Sequence, residues 1–379
     1  MIRYVAILLF LSKFIGANSE AKLLGKAEIE NIEKTVLGFL KNAPPEKLKW
    51  NWEEAIGLHG LAVLSPHLSK SIRDDSFDYI KRYQYFWDKK QPEVSWADEC
   101  PSVLSSFALG DDYLGKTNIN FWRVYDYLKN ASLNDVGSID HLGNKSFITK
   151  IFRPYRNSIW LDSVMMWGNF SFRAGLKYDD QELVDLALSQ PEIFSKYLQD
   201  ESTGMFIHSY NYRYEHTYPR KKLFWTRGNG WMAVTLADFL ELMNTSSERY
   251  ERLKRIFSNL MEGYLKANKK DNLWRNLYPK NRDNRVDTSG SALIAYAMTK
   301  GARIGVLDER YAEQGMKTFE SINKLLKKTK HGLRMSKVIG PTVPGPRIFY
   351  RVIPYQRKSF FGYGSYFLLA SEIFKSKKL

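Results

Sequence analysis

Apolar residues recur along this chain at three- and four-residue intervals, the spacing that gathers them on one side of a helix. Strand-like alternation is confined to a few connecting segments. The pattern predicts helices over 27–42, 52–66, 71–89, 99–109, 114–129, 159–175, 181–198, 228–243, 247–267, 288–303, 308–327 and 362–376. They differ in character. In 247–267, Tyr250, Leu253, Ile256, Phe257, Leu260, Met261 and Tyr264 form one stripe with Arg, Lys and Glu opposite, so one face meets water. The segments 159–175 and 288–303 are apolar or small nearly all round and must be covered on every side. Exposed helices alternating with buried ones predict an all-α protein. Its form is an (α/α)6 barrel, a toroid of six hairpins, with short strands in the long connecting loops. No fixed-period motif supports a helical-repeat solenoid instead.

The connections are unequal. Those at 130–158, 199–227, 268–287 and 328–361 are long and rich in aromatics, Arg and Gly or Pro, whereas 67–70, 110–113, 176–180, 244–246 and 304–307 are short. Each long connection leads into an inner helix, so all open on one face of the barrel, and that face is the predicted site.

Composition adds limits. With 379 residues, 44% hydrophobic and 15% aromatic, the chain buries a large core, which excludes a disordered or low-complexity protein. A single cysteine, Cys100, excludes an internal disulfide framework and a Cys-cluster metal site, and the six histidines never fall at a three-to-five-residue ligand spacing. The net charge of +16 suggests an anionic partner. Its residues are dispersed, and the runs at 327–330 and in the C-terminal KSKK do not interleave with aromatics as a nucleic-acid groove does. No nucleic acid and no obligatory protein partner is inferred. Arg3 before the apolar run Tyr4–Leu11, followed by small residues, has the order of parts of a secretory signal with cleavage after Ser19. The expectation is then a secreted single domain over 20–379. A short buried N-terminal helix is the alternative, and Lys13 lends it weight. No other stretch approaches the roughly 18 apolar residues of a membrane span, so no membrane partner is expected. Asn130-Ala-Ser, Asn144-Lys-Ser and Asn244-Thr-Ser are acceptor sequences for glycans in a eukaryotic source.

Unusual residues cluster at the starts of the inner helices: Trp52; Trp96 and Asp98; Trp160 and Asp162; Trp225, Arg227 and Trp231; Thr288 and Ser289; Tyr363. Aromatic faces with a few carboxylates and an Arg are what a sugar site requires, because pyranose CH faces stack on rings while carboxylates move protons. Asp162 interrupts the apolar run IWLDSVMMW. It either caps its helix or has its pKa raised by desolvation until it can donate a proton. Asp98 carries the same ambiguity, sharpened by Pro101 in the first turn. In FWTRGNGW (224–231), two tryptophans flank one guanidinium, which either pairs with a sugar carboxylate or is locked in a core salt bridge. His208 is a sugar hydrogen-bonding group or an ordinary loop histidine.

In order along the chain, WNWEEAIGLHGL (50–61), SIWLDSVMMW (158–167), DESTGMFIHSYN (200–211), FWTRGNGWMAVTLADFLELM (224–243), DTSGSALIAYAMTKGARIGVLDERY (287–311) and GYGSYFLLASEI (362–373) resemble the unsaturated glycuronyl hydrolases of glycoside hydrolase families 88 and 105. The resemblance is greatest to the unsaturated rhamnogalacturonyl hydrolases. It implies an (α/α)6 barrel and an acidic oligosaccharide substrate, with no metal or organic cofactor. It also implies removal of the 4,5-unsaturated uronic acid that lyases leave at a non-reducing end. Asp162 falls on the family's catalytic Asp, which acts as general acid and base, and Asp98 falls near its second acid. Trp160, His208, Trp225, Arg227 and Trp231 fall on sugar-binding positions, with Arg227 the candidate for the uronate. Two positions depart from the family pattern. Thr226 stands where glycine is usual, and the Lys150/Ile151 region stands where a histidine precedes the catalytic Asp. That departure keeps two alternatives open, a glycan-binding pseudoenzyme on the same barrel and a glucuronyl hydrolase acting on glycosaminoglycan-type fragments. Other (α/α)6 enzymes such as mannanases or epimerases need paired Asp or His on inner helices. The Asp pairs 74–75, 111–112 and 179–180 lie instead on outer helices or loops.

Overall fold

A computed structural model describes residues 24–114, 118–143, 155–267, 269–279 and 285–376. The expected signal at 1–19, the Asn144 acceptor sequence and the Lys150/Ile151 region lie outside them. The first hairpin pairs α1 (Lys26–Leu40) with α2 (Trp52–Leu64), and the second pairs α3 (Lys70–Lys90) with a 3-10 helix (Ala97–Leu109). The third pairs α4 (Ile119–Lys129) with a π segment (Val164–Gly168) that continues as α5 (Asn169–Tyr178). Then follow α6 (Gln181–Leu198) with α7 (Thr226–Leu242), and α8 (Glu248–Lys266) with α9 (Thr288–Arg303). In the last, α10 (Glu309–Asn323) leads through the short α11 (Arg347–Val352) to α12 (Phe360–Ser376).

The second member of each pair lies in the inner ring, which is closed. Contacts run from α2 to the 3-10 helix, the π segment, α7, α9, α12 and back to α2. Burial follows the sequence pattern. Every residue of α7 from Thr226 to Leu240 is buried, whereas α8 buries one stripe, Tyr250, Leu253, Phe257, Leu260, Met261 and Tyr264. At the far end of the ring from the long loops, buried Asp238 of α7 accepts hydrogen bonds from Lys300 Nζ (2.7 Å) and Tyr296 Oη (2.6 Å) of α9, and from Arg173 of α5 (3.2 Å). Burial alone would raise its carboxyl, but these cations hold it far below the usual carboxylate range.

Backbone contact joins the first and last inner helices. A Cβ on Gly364 of α12 would lie 2.1 Å from the Ile56 carbonyl oxygen, and one on Gly60 of α2 would lie 2.4 Å from that of Gly364. Neither helix can back away without opening the ring. Gly364→Ala is therefore expected to cost about 1–3 kcal/mol, the usual cost of overpacking, read as a lower denaturant midpoint. An unchanged midpoint would contradict this close approach.

The elements depart from the expected ones mainly at the site. The predicted helix 99–109 is a 3-10 helix from Ala97, with Pro101 withholding the N–H that an α-helix would use there. The predicted helix 159–175 begins as a strand, β1 (Ser158–Trp160), because a partner is present. β1 pairs antiparallel with β2 (Ser209–Asn211), which pairs with β3 (His216–Tyr218). The helix expected over 114–129 starts at Ile119, and α11 has no counterpart among the expected helices.

Candidate active site

A cleft of about 420 Å³ opens at the N-terminal ends of the inner helices. Trp52, Trp96, Asp98, His141, Trp160 and Asp162 line one side of it. The other side is the loop before α12, through Pro341, Thr342, Val343, Phe349, Val352 and Ile353.

Asp162 owes its place to the β1–β2 register. Trp160 pairs with Ser209, and the Leu161 N–H donates to the His208 carbonyl at 2.8 Å, so the side chains on either side of that bond come together. The Asp162 carbonyl accepts the N–H groups of Met165 and Met166, each at 3.0 Å, and so begins the π segment. Its carboxylate faces His208. Oδ2 lies 2.9 Å from His208 Nε2, and His208 Nδ1 lies 2.8 Å from the Tyr350 hydroxyl. Asp162 and Tyr350 thus hold the two ring nitrogens of His208 from opposite sides. A π segment directly after such a residue is a frequent companion of functional sites.

Of the two readings of Asp162, a cap or a raised pKa, the second is overturned. Burial pushes the carboxyl up, but the charge and hydrogen bond of His208, followed by His141 and Arg227, outweigh it and hold the group below the ordinary Asp value. In the free site Asp162 is a carboxylate.

Beside Asp98, Glu99 accepts the Ser95 N–H at 2.8 Å. Asp98 Oδ1 faces His141 Nε2 at 3.5 Å. His141 stacks on Trp160 (ring centroids 4.5 Å apart, 12° between planes), and its Nδ1 lies 3.0 Å from Ser163 Oγ. Burial pushes its pKa down to about 4, so the ring is neutral at physiological pH. Sequence reasoning missed His141. It stands well upstream of the position compared with the family, and only the Trp160 stack reveals it. Tyr350 was missed too, because it reaches His208 across 142 residues of sequence.

The structure brings Trp160, Asp162 and Asp98 to the cleft wall. It puts His208, fully buried, behind Asp162, and Trp225 behind His208 at 4.4 Å between ring centroids. Trp231 is fully buried and meets Trp52 edge to face. Arg227 is the clearest correction. Expected to receive a uronate, it has no exposed surface. Its Nη1 donates to the Ile339 carbonyl at 2.6 Å and its Nη2 to that of Gly340 at 2.7 Å, while Asp287 Oδ2 lies 3.4 Å from Nη1. Its guanidinium lies between the rings of Trp225 (4.9 Å) and Phe361 (4.7 Å). It anchors the loop that forms the far wall. Thr288, Ser289 and Tyr363 are buried and bond to Ser336, Asp287 and Leu333.

Comparison with known proteins agrees with this architecture. The profile of Glycosyl Hydrolase Family 88 matches residues 28–377. The unsaturated rhamnogalacturonyl hydrolase YesR of Bacillus subtilis is 24% identical over 365 residues, covering 92% of this chain and 96% of that protein. A solved structure from Klebsiella pneumoniae, described as a possible member of the GH105 family, superposes with a TM-score of 0.80 at 18% identity, covering 93% of this chain and 94% of that one. The unsaturated glucuronyl hydrolase of Bacillus sp. GL1, responsible for the degradation of glycosaminoglycan, does so with a TM-score of 0.68 at 15% identity, covering 91% and 95%.

Proposed function

The chain belongs to glycosyl hydrolase family 88, and from that premise we propose that it removes a 4,5-unsaturated uronic acid from the non-reducing end of acidic oligosaccharides of the rhamnogalacturonan type. The observation that carries this reading is the Asp162 carboxylate, presented at the cleft wall by His208 and Tyr350 beside the Trp160–His141 stack.

The reaction is hydration of an enol ether. Asp162 gives a proton to C4, and C5 becomes a cation stabilised by the ring oxygen. Water adds at C5 and returns a proton to Asp162. The hemiketal then opens by breaking the bond between C5 and the ring oxygen, and the hemiacetal left at C1 releases the aglycone as an alcohol. Asp162 must therefore arrive protonated, although His208 favours its anion. An incoming uronate supplies the opposing influence, since its carboxylate repels the Asp162 charge and its ring displaces water from the cleft. The acid is thus charged by binding its own substrate. The paired-carboxylate separation rule of ordinary glycosidases does not govern this chemistry. Asp98, facing neutral His141, is left to hold sugar hydroxyls or the attacking water.

The far wall supports the rhamnose-type aglycone. Phe349 and Val352 are exposed at the cleft rim beside Pro341, Val343 and Ile353, a surface suited to a sugar that carries a methyl group in place of a hydroxymethyl. Unsaturated uronyl-rhamnose is expected to be turned over with a kcat/KM at least about tenfold above that of an unsaturated uronyl-aminosugar, the factor that about 1.4 kcal/mol of methyl burial confers. Preference for the aminosugar would favour the glycosaminoglycan-type reading and contradict this one.

A further inference from the structure

A second cavity, of about 620 Å³, lies on the outer ring where the hairpin after α8 meets the C-terminal end of α10. Its wall carries Lys270, Arg275, Arg285, Lys324 and Lys337, with the ring of Tyr355, against one carboxylate, Asp271. Elsewhere on the outer helices, cations such as Arg82, Lys129 and Arg249 each meet a carboxylate. Among the described residues, Lys270, Arg285, Lys324 and Lys337 form no such pair. Concentrating like charge around a concave surface costs self-repulsion that an anionic ligand would relieve.

The cavity is built, and it adjoins the cleft. Arg285 donates to the carbonyls of Arg351 and Ile353, and its guanidinium covers one face of the exposed Tyr355 ring at 4.8 Å. The Tyr355 hydroxyl donates to the Val286 carbonyl at 3.0 Å. Lys337 sits in the left-handed region (φ 56°), where glycine is favoured, and its carbonyl receives the N–H of Thr288 at 3.1 Å. Ile353 lines the catalytic cleft and Tyr355, two residues later, lines the basic cavity. Two residues of extended chain span about 7 Å, little more than one sugar.

From this we propose that the basic cavity is a distal subsite that binds an anionic group, a carboxylate or sulfate, on a sugar toward the reducing end of the oligosaccharide held in the cleft. This rests on the functional reading above. It makes the enzyme prefer fragments long enough to bring a second charge to Lys324 and Lys337, with the sugar ring against Tyr355.

The test uses the full chain and the double variant Lys324→Ala/Lys337→Ala, both exposed and outside the cleft. Titration calorimetry with a saturated uronate-containing tetrasaccharide, which has no double bond to react, reads the cavity without catalysis. Affinity is expected to fall about tenfold in the variant, while a neutral tetrasaccharide of equal length shows no difference between the two proteins. Kinetically, the variant should raise KM about tenfold for an unsaturated acidic tetrasaccharide with kcat unchanged, and leave an unsaturated disaccharide unaffected. Equal affinity of both proteins for the acidic tetrasaccharide, or no binding by either, overturns the subsite. Absence of turnover with intact, charge-dependent binding overturns the hydrolase reading and leaves the subsite standing.

Discussion

Asp162→Asn abolishes turnover of an unsaturated uronyl disaccharide, lowering kcat by about 10³-fold or more, while the thermal midpoint stays where it was. The magnitude is that of a lost general acid and base, and here one group serves in both steps. The substitution is clean because an amide oxygen still accepts the proton of His208 Nε2, now 2.9 Å from Oδ2, so the His208–Tyr350 relay keeps its geometry. The amide has no proton to give to C4. Circular dichroism and a melting curve on the same sample separate loss of chemistry from loss of fold. A variant that retains kcat within tenfold would remove Asp162 from the reaction.

Arg227→Ala is expected to act in the opposite manner, first of all on stability. The guanidinium and Asp287 are both fully buried, and Asp287 also caps α9 through Ser289 and Gly290 and accepts the Ile339 N–H. Truncating the Arg leaves that carboxylate without its cation and two carbonyls of the far wall without donors. Breaking a buried pair in this way costs about 3–5 kcal/mol. The variant should melt well below the parent, and any rise in KM should come only together with that loss of stability. An Arg that gripped a uronate would give the reverse, a raised KM at an unchanged midpoint.

The contrast between these residues shows what a linear reading can and cannot carry. The ring of helices was legible because solvent periodicity is local. The stripe of α8 and the all-round burial of α9 are written within each segment. The face that bears the site was legible too, since its long loops differ visibly from the short turns opposite. Depth was not. FWTRGNGW looks like a sugar platform whether its side chains meet water or core, and only the closed ring shows Trp231 and Arg227 to be inside it. Partnership over distance was equally hidden. Tyr350 meets His208 across 142 residues. His141 becomes part of the site because of a ring stacked on Trp160, not because of any spacing. The direction of the Asp162 pKa followed the same course. An apolar run implies desolvation alone, whereas His208, brought in by the β1–β2 register, outweighs it.

The basic balance of the chain also acquires structure. Arg227 lies in the core, and five exposed or half-exposed cations gather in one cavity beside the cleft.

The proposed hydration is tested most directly by incubating the pure protein with an unsaturated uronyl-rhamnose disaccharide in heavy water, followed at the double-bond absorbance and by NMR of the products. Absorbance is expected to fall in step with release of free rhamnose, with solvent deuterium appearing at C4 of the released uronic acid. Rhamnose released while the double bond persists, or an absorbance that does not change, would contradict that hydration.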